Sequence, residues 1–135
     1  MSTAKTIDAV IDFASHPVAA EEGVVDQERM VSAGAPCRTT TWNHYTDPSE
    51  RFFAGVWASD VGAMTVSYTE EETCVILEGR VRLSDNGGGV KEFGPGSTFV
   101  IPAGFEGVWE TLEPVRKIYT IWLPETEPSS AAESR

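Results

Sequence analysis

From residue 79 onward the chain is interrupted every few residues by positions that a helix interior does not tolerate. Gly79 is followed by Asp85-Asn-Gly-Gly-Gly89, by Gly94-Pro-Gly96, and by Pro102-Ala-Gly104 ahead of Gly107. Glycine weakens a helix, and proline removes a backbone donor and clashes with the preceding turn, so only short extended segments fit between these corners. The intervening segments have strand character. Ala63-Met-Thr-Val-Ser-Tyr68 alternates large apolar with small polar residues, as a half-buried strand does. Thr39–Tyr45 and Arg51–Trp57 carry β-branched and aromatic residues and flank an Asp47-Pro-Ser49 turn. Thr73–Leu77, Arg80–Leu83, Val90–Phe93, Thr98–Ile101, Val108–Leu112 and Val115–Leu123 continue the series. About nine short strands, with no helical period between residues 39 and 123, predict an all-β sandwich or barrel.

Two stretches narrow the prediction: Glu72-Thr-Cys-Val-Ile-Leu-Glu-Gly79 and Gly96-Ser-Thr-Phe-Val-Ile-Pro102-Ala-Gly104-Phe-Glu-Gly107. Phe93-Gly-Pro-Gly96, Gly107-Val-Trp109 and Glu113-Pro-Val-Arg-Lys-Ile-Tyr119 accompany them in order. Together these resemble the two motifs of the cupin superfamily. The finer match is to a branch of small single-domain proteins of unknown function that also includes the barrel of (S)-ureidoglycine aminohydrolase. The resemblance spans residues 39–123 and implies a single cupin-type β-barrel, or jelly roll. Residues 1–30 read as a weakly ordered leader, 31–124 as the barrel and 125–135 as a disordered, Glu/Ser/Ala-rich tail. Within the leader, Ile7, Val10, Ile11 and Phe13 have helical spacing that Pro17 cuts short.

The cupin pattern places two histidines before the motif Glu and a third at the end of the second motif, and in many members these residues hold a metal. Here Glu72 and the glycines keep their places and the histidines do not. Their positions fall on Val66 and Tyr68, or on Thr65 and Ser67 with a gap one residue longer, and on Gly107. Catalytic transition-metal sites rest on three or more protein ligands with imidazole prominent, so one carboxylate does not suffice. His16 and His44 lie outside both motifs. The Glu70-Glu71-Glu72 cluster reads as a solvated acidic turn with one inward Glu, which leaves only a residual role for a divalent cation at Glu72. The expectation is a site with neither metal nor other cofactor. The aminohydrolase of this branch depends on a metal, so its activity does not transfer directly.

Side chains two apart on a strand share a face. With Tyr68 and Glu72 inward, Val66, Cys74 and Ile76 join them, while Trp109, Lys117 and Tyr119 face them from the last strands. Phe105 and Trp57 are expected near the mouth, and Gly107 to leave room where relatives place an imidazole. An aromatic cavity with a few convergent polar groups suits a small molecule. A carboxylate there needs a compensating cation, and Lys117 is the natural one. The leading reading is a binding module for a small polar metabolite, anionic or amide-bearing, with Trp57, Cys74, Phe105, Trp109 and Tyr119 as contacts. A second is an isomerase, lyase or hydrolase using Glu72, Tyr68 and Lys117 as acid/base groups. A third is a structural dimer without a ligand, its exposed Thr39–Tyr45 edge covered by strand exchange. Cys74 reads as an inert buried thiol.

Composition excludes several partners. A formal net charge of −11 opposes phosphate backbones and anionic lipid surfaces, so neither nucleic acid nor membrane is expected as a partner. No apolar run approaches the length of a membrane span, and no secretory leader is evident. Two cysteines without C-x-x-C spacing build neither a disulfide scaffold nor a zinc site. A cytoplasmic homodimer is the expectation.

Overall fold

The computed structural model describes residues 3–31 and 36–124. Among them are eight strands: β1 (Glu21–Val24), β2 (Arg38–Thr46), β3 (Phe52–Ser59), β4 (Gly62–Ser67), β5 (Glu71–Asp85), β6 (Val90–Phe93), β7 (Thr98–Ile101) and β8 (Glu106–Trp122). Among the described residues the only helical elements are single 3-10 turns at Ile7–Ala9 and Gln27–Arg29, so the described fold is all-β. Every pairing is antiparallel.

Two long strands organise everything else. The N-terminal half of β5 pairs with the C-terminal half of β8, and β7, β3, β2 and β1 extend that layer. The other halves of β5 and β8 pair with each other, flanked by β6 and β4. The ladder bends through both layers without closing, which gives the jelly-roll form of the predicted barrel. The predicted break between Thr73–Leu77 and Arg80–Leu83 is therefore a bulge within one strand, and the same holds for Val108–Leu112 and Val115–Leu123. Gly79 explains why. It sits at φ 87°, and a Cβ there would lie 2.1 Å from the Pro114 carbonyl oxygen. Only glycine lets β5 bend this tightly against Glu113-Pro114, where the β5–β8 register slips.

The turns follow the sequence closely. Asp85 Oδ1 accepts the Gly87 and Gly89 amides, each at 2.8 Å, and so ties the glycine-rich β5–β6 hairpin. Asp47 Oδ1 accepts the Arg51 and Phe52 amides at 2.9 Å, and Ser49 Oγ donates to its other oxygen. These bonds, the Ser49 one foremost, lower the Asp47 pKa to about 2.

The leader supplies more structure than its sequence suggests. β1 adds to the Arg38–Thr41 half of β2, Val25 enters the core, and Met30 bridges to Met64. The Thr39–Thr41 part of the edge assigned to strand exchange is thus covered within one chain. Phe13 stacks on His44 with ring centroids 4.4 Å apart, and His44 Nδ1 lies 2.9 Å from the His16 carbonyl. The helical spacing near Ile7 yields only one turn, with Ile7 and Val10 exposed. The predicted tail lies outside the described residues. Between the two layers Val66, Tyr68, Cys74, Ile76, Val81, Ile101, Trp109 and Val115 form the core, each large apolar side chain contributing about 1.5–3 kcal/mol by leaving water.

Candidate functional site

Strand register lines up the site. Glu21 pairs with Thr41, Thr41 with Trp57, Trp57 with Lys117 and Lys117 with Ile76, one residue from each of β1, β2, β3, β8 and β5. Directly paired residues share a face, so this row runs across the concave side of the layer. A parallel row carries Tyr119 and Cys74, and a third carries Ile121 and Glu72. Above them is a cavity of about 260 Å³ whose walls include Trp57, Trp109, Tyr68, Tyr119, Met64 and Ile121, with Glu72 and Lys117 within and Glu21, Thr39 and Thr41 on the β1–β2 side.

At its centre is a buried ion pair. Lys117 Nζ donates to Glu72 Oε2 at 2.8 Å, and their side chains are 6% and 5% exposed. The same ammonium lies 3.5 Å from Cys74 Sγ, which is also 3.5 Å from Glu72 Oε2. Two indoles enclose it, with the Trp57 centroid 4.7 Å and the Trp109 centroid 4.3 Å from Nζ. The two rings meet edge to face at 5.6 Å, and Trp109 Nε1 is fixed by donating to Thr111 Oγ1 at 3.0 Å. Tyr119 is held by donating to Asn43 Oδ1 at 2.7 Å.

These surroundings set the protonation states. Burial alone would lower the Lys117 pKa, but the interactions with Cys74 and with the Glu72 carboxylate, including the hydrogen bonds to both, outweigh it, and the ammonium is held above its ordinary value. Burial first, then Glu72, Cys74 and Glu70, hold the Tyr68 phenol well above its usual range. Burial pushes the Cys74 thiol up to about 12 against the opposing pull of Lys117. At neutral pH the site therefore presents an ammonium, a phenol and a thiol, all protonated.

Of the residues singled out in the sequence, Glu72, Tyr68, Lys117, Trp57, Trp109 and Tyr119 come together around this cavity. Cys74 lies beneath it, fully buried against the ion pair, and does not line it. Phe105 belongs elsewhere: it packs 6.4 Å from the Tyr68 ring and lines a separate groove with Leu83, Phe93, Phe99 and Ile101. Gly107 opens no space. A Cβ there would lie 2.0 Å from the Ser84 carbonyl oxygen, because β8 approaches the β5 backbone closely at this point. Nor is the acidic cluster a solvated turn with one inward Glu, since Glu70 is as buried as Glu72. Glu21, Thr39, Thr41, Met64 and Ile121 were not foreseen as lining residues. The Glu21-Glu-Gly-Val-Val25 run, ending in two β-branched residues, was the available signal for β1.

The donor set does not fit a cupin metal. Val66 and Tyr68 are the inward pair at the two histidine positions, with Thr65 and Ser67 exposed, and neither Val66 nor Gly107 offers a donor atom. Glu72 is engaged by Lys117. His16 and His44 contact each other's segment outside the cavity, and no described group of three or more His, Cys, Asp or Glu residues is arranged around a common point. No helix among the described residues is long and apolar enough to cross a membrane.

Comparison with known proteins agrees with this fold. The sequence profile of the EutQ-like cupin domain matches residues 46–119, more than half of the chain, and the chain belongs to that family. A structure of a Pseudomonas syringae protein of unknown function superposes with a TM-score of 0.69 at 23% identity, over 79% of this chain and 46% of that one. This chain therefore spans less than half the length of that relative. The EutQ protein of Clostridium difficile superposes with a TM-score of 0.59 at 17% identity, covering 76% of this chain and 82% of the other. A putative ethanolamine utilization protein Q from Salmonella typhimurium gives 0.56 at 19%, covering 78% and 97%. At these identities the likeness establishes the fold alone. No curated protein matches the sequence.

Proposed function

We propose that this cupin is a small-molecule binding module that holds a polar metabolite, without a metal, in the cavity above the Lys117–Glu72 pair. The observation that carries this reading is the enclosure itself: a cavity of about 260 Å³ walled by two indoles and two phenols around a buried, satisfied ion pair. Apolar walls with a few fixed polar groups bury a ligand's surface while setting its orientation. Catalysis by Glu72, Tyr68 and Lys117 draws less support. Lys117 and Tyr68 keep their protons at neutral pH, and Glu72 already accepts from Lys117, so no group is poised to take a proton. We place the protein in the cytoplasm, as a homodimer.

A thermal-shift screen against polar metabolites tests the reading. A ligand that binds only the folded chain adds about 2.7 kcal/mol of stability at a hundredfold excess over Kd. Hits are expected in the wild type and lost in Trp57→Ala. A screen without hits, or hits indifferent to that substitution, contradicts the proposal.

A further inference from the structure

The charges around the cavity specify the kind of ligand, an inference that rests on the binding reading above. Among the described residues the only cation in the lining is Lys117, and its charge is already committed. It is 2.8 Å from Glu72 and 3.5 Å from Cys74, and the faces of Trp57 and Trp109 cover its flanks. An incoming anion would have to displace Glu72 from this pair or bind beside it. Displacement would leave a buried carboxylate without its cation, a costly state. Binding beside it would place a second negative charge next to the first.

The cavity also carries a second carboxylate. Glu21 lines it from β1 and is itself exposed to solvent, placed there by its pairing with Thr41 in the row that leads to Lys117. Two carboxylates against one ammonium leave the lining with an excess negative charge. The chain as a whole, at −11, adds a field of the same sign. The wall also carries the hydroxyls of Thr39, Thr41, Tyr68 and Tyr119, each able to accept from an N–H donor. Met64 and Ile121 supply apolar surface for a short carbon chain.

We propose that the cavity takes a small organic cation, a primary ammonium on a short aliphatic or hydroxylated chain, with Glu21 pairing its positive end. The volume limits it to about nine water equivalents, since a water occupies about 30 Å³ of liquid. Glu21 is the residue that sets the sign of the ligand, while Glu72 and Lys117 form a neutral floor.

Calorimetric titration of the full chain with butylammonium, butyramide and butyrate at equal ionic strength tests this directly, because the three differ in charge and little in size. Butylammonium is expected to bind, butyrate not to bind, and Glu21→Gln to weaken butylammonium about five- to tenfold, as removal of one partly screened charge should. Raised salt should weaken it as well. Stronger binding of butyrate or butyramide, or an unaltered affinity in Glu21→Gln, overturns the charge assignment and leaves the binding reading standing. If none of the three binds, the cation assignment falls. The metabolite screen then decides the cavity separately: hits lost in Trp57→Ala retain it as a binding site, and an empty screen removes that reading too.

Discussion

Replacing Lys117 by Met removes the ammonium while keeping an unbranched stem of similar reach. Glu72, 5% exposed and bonded at 2.8 Å to Nζ, would then sit in the core without a counter-charge. Truncating one partner of a buried pair typically costs about 3–5 kcal/mol, because the stranded charge keeps its desolvation penalty. Loss of the contacts to Trp57 and Trp109, at 4.7 and 4.3 Å, acts in the same direction. Such desolvated contacts are worth about 2 kcal/mol each and overlap with the ion-pair loss, so they do not simply add to it. Against a typical domain stability of about 5–15 kcal/mol this is a large fraction. Urea unfolding followed by tryptophan fluorescence should show the midpoint falling by about 2 M, given a slope of about 1–3 kcal/mol per M. The double variant Lys117→Met, Glu72→Met removes both charges and should recover most of the loss, since apolar replacement of a whole buried pair is often neutral or better. A single variant within about 0.5 kcal/mol of wild type would refute the reasoning, as would a double variant no more stable than the single.

Other consequences can be checked on the same protein. Cys74, Lys117 and Tyr68 all have folded pKa values above their ordinary ones, so the folded chain keeps protons that the unfolded chain releases. Stability should be full below pH 9.0, the ordinary Cys value, and fall above it by about 1.4 kcal/mol per pH unit for Cys74, with Tyr68 and Lys117 adding their own losses only above 10.0 and 10.5. Cys74→Ser should delay that onset in urea midpoints measured across alkaline pH, and an onset unmoved by it contradicts the Cys74 assignment. Gly79→Ala forces a Cβ to within 2.1 Å of the Pro114 carbonyl oxygen at φ 87°; a loss of about 2 kcal/mol or more is expected by denaturation, and a neutral result would mean that β5 does not bend there. Asp47, held near 2 by its turn bonds, contributes stability that is present above its ordinary pKa and lost as pH falls toward 2. Asp47→Ala should therefore flatten the acid limb of the stability curve.

What the sequence disclosed depended on how local each feature was. The Asp85–Gly89 and Asp47–Ser49 turns, the alternation at Ala63–Tyr68 and the spacing of Glu72, Gly79, Gly96 and Gly104 are local patterns, and they led to the jelly roll and its inward faces. Lys117 facing Glu72 was expected from strand period together with the motif positions that turn Glu72 inward and its need for a cation, and the register of β3, β8 and β5 brings the two together. The misjudged features depend on contacts between distant segments. Gly79 looked like a hairpin corner because its close approach to Pro114, thirty-five positions away, is invisible along the chain. Gly107 looked like empty space for the same reason, its neighbour being the Ser84 backbone. Glu21 was missed because four exposed residues form a strand only through pairing with Arg38–Thr41. Phe105 was expected near the mouth, yet it lines a separate groove with Leu83, Phe93, Phe99 and Ile101.

The most direct test of a ligand cavity above the Lys117–Glu72 pair is to follow the four indole N–H resonances while titrating a hit from the metabolite screen. Trp57 and Trp109 line the cavity, whereas Trp42 lies against Arg116 and Trp122 is 47% exposed. The account predicts saturable shifts at Trp57 and Trp109 with Trp42 and Trp122 unmoved. Shifts confined to Trp42 or Trp122, with Trp57 and Trp109 silent, would place the binding elsewhere and contradict it.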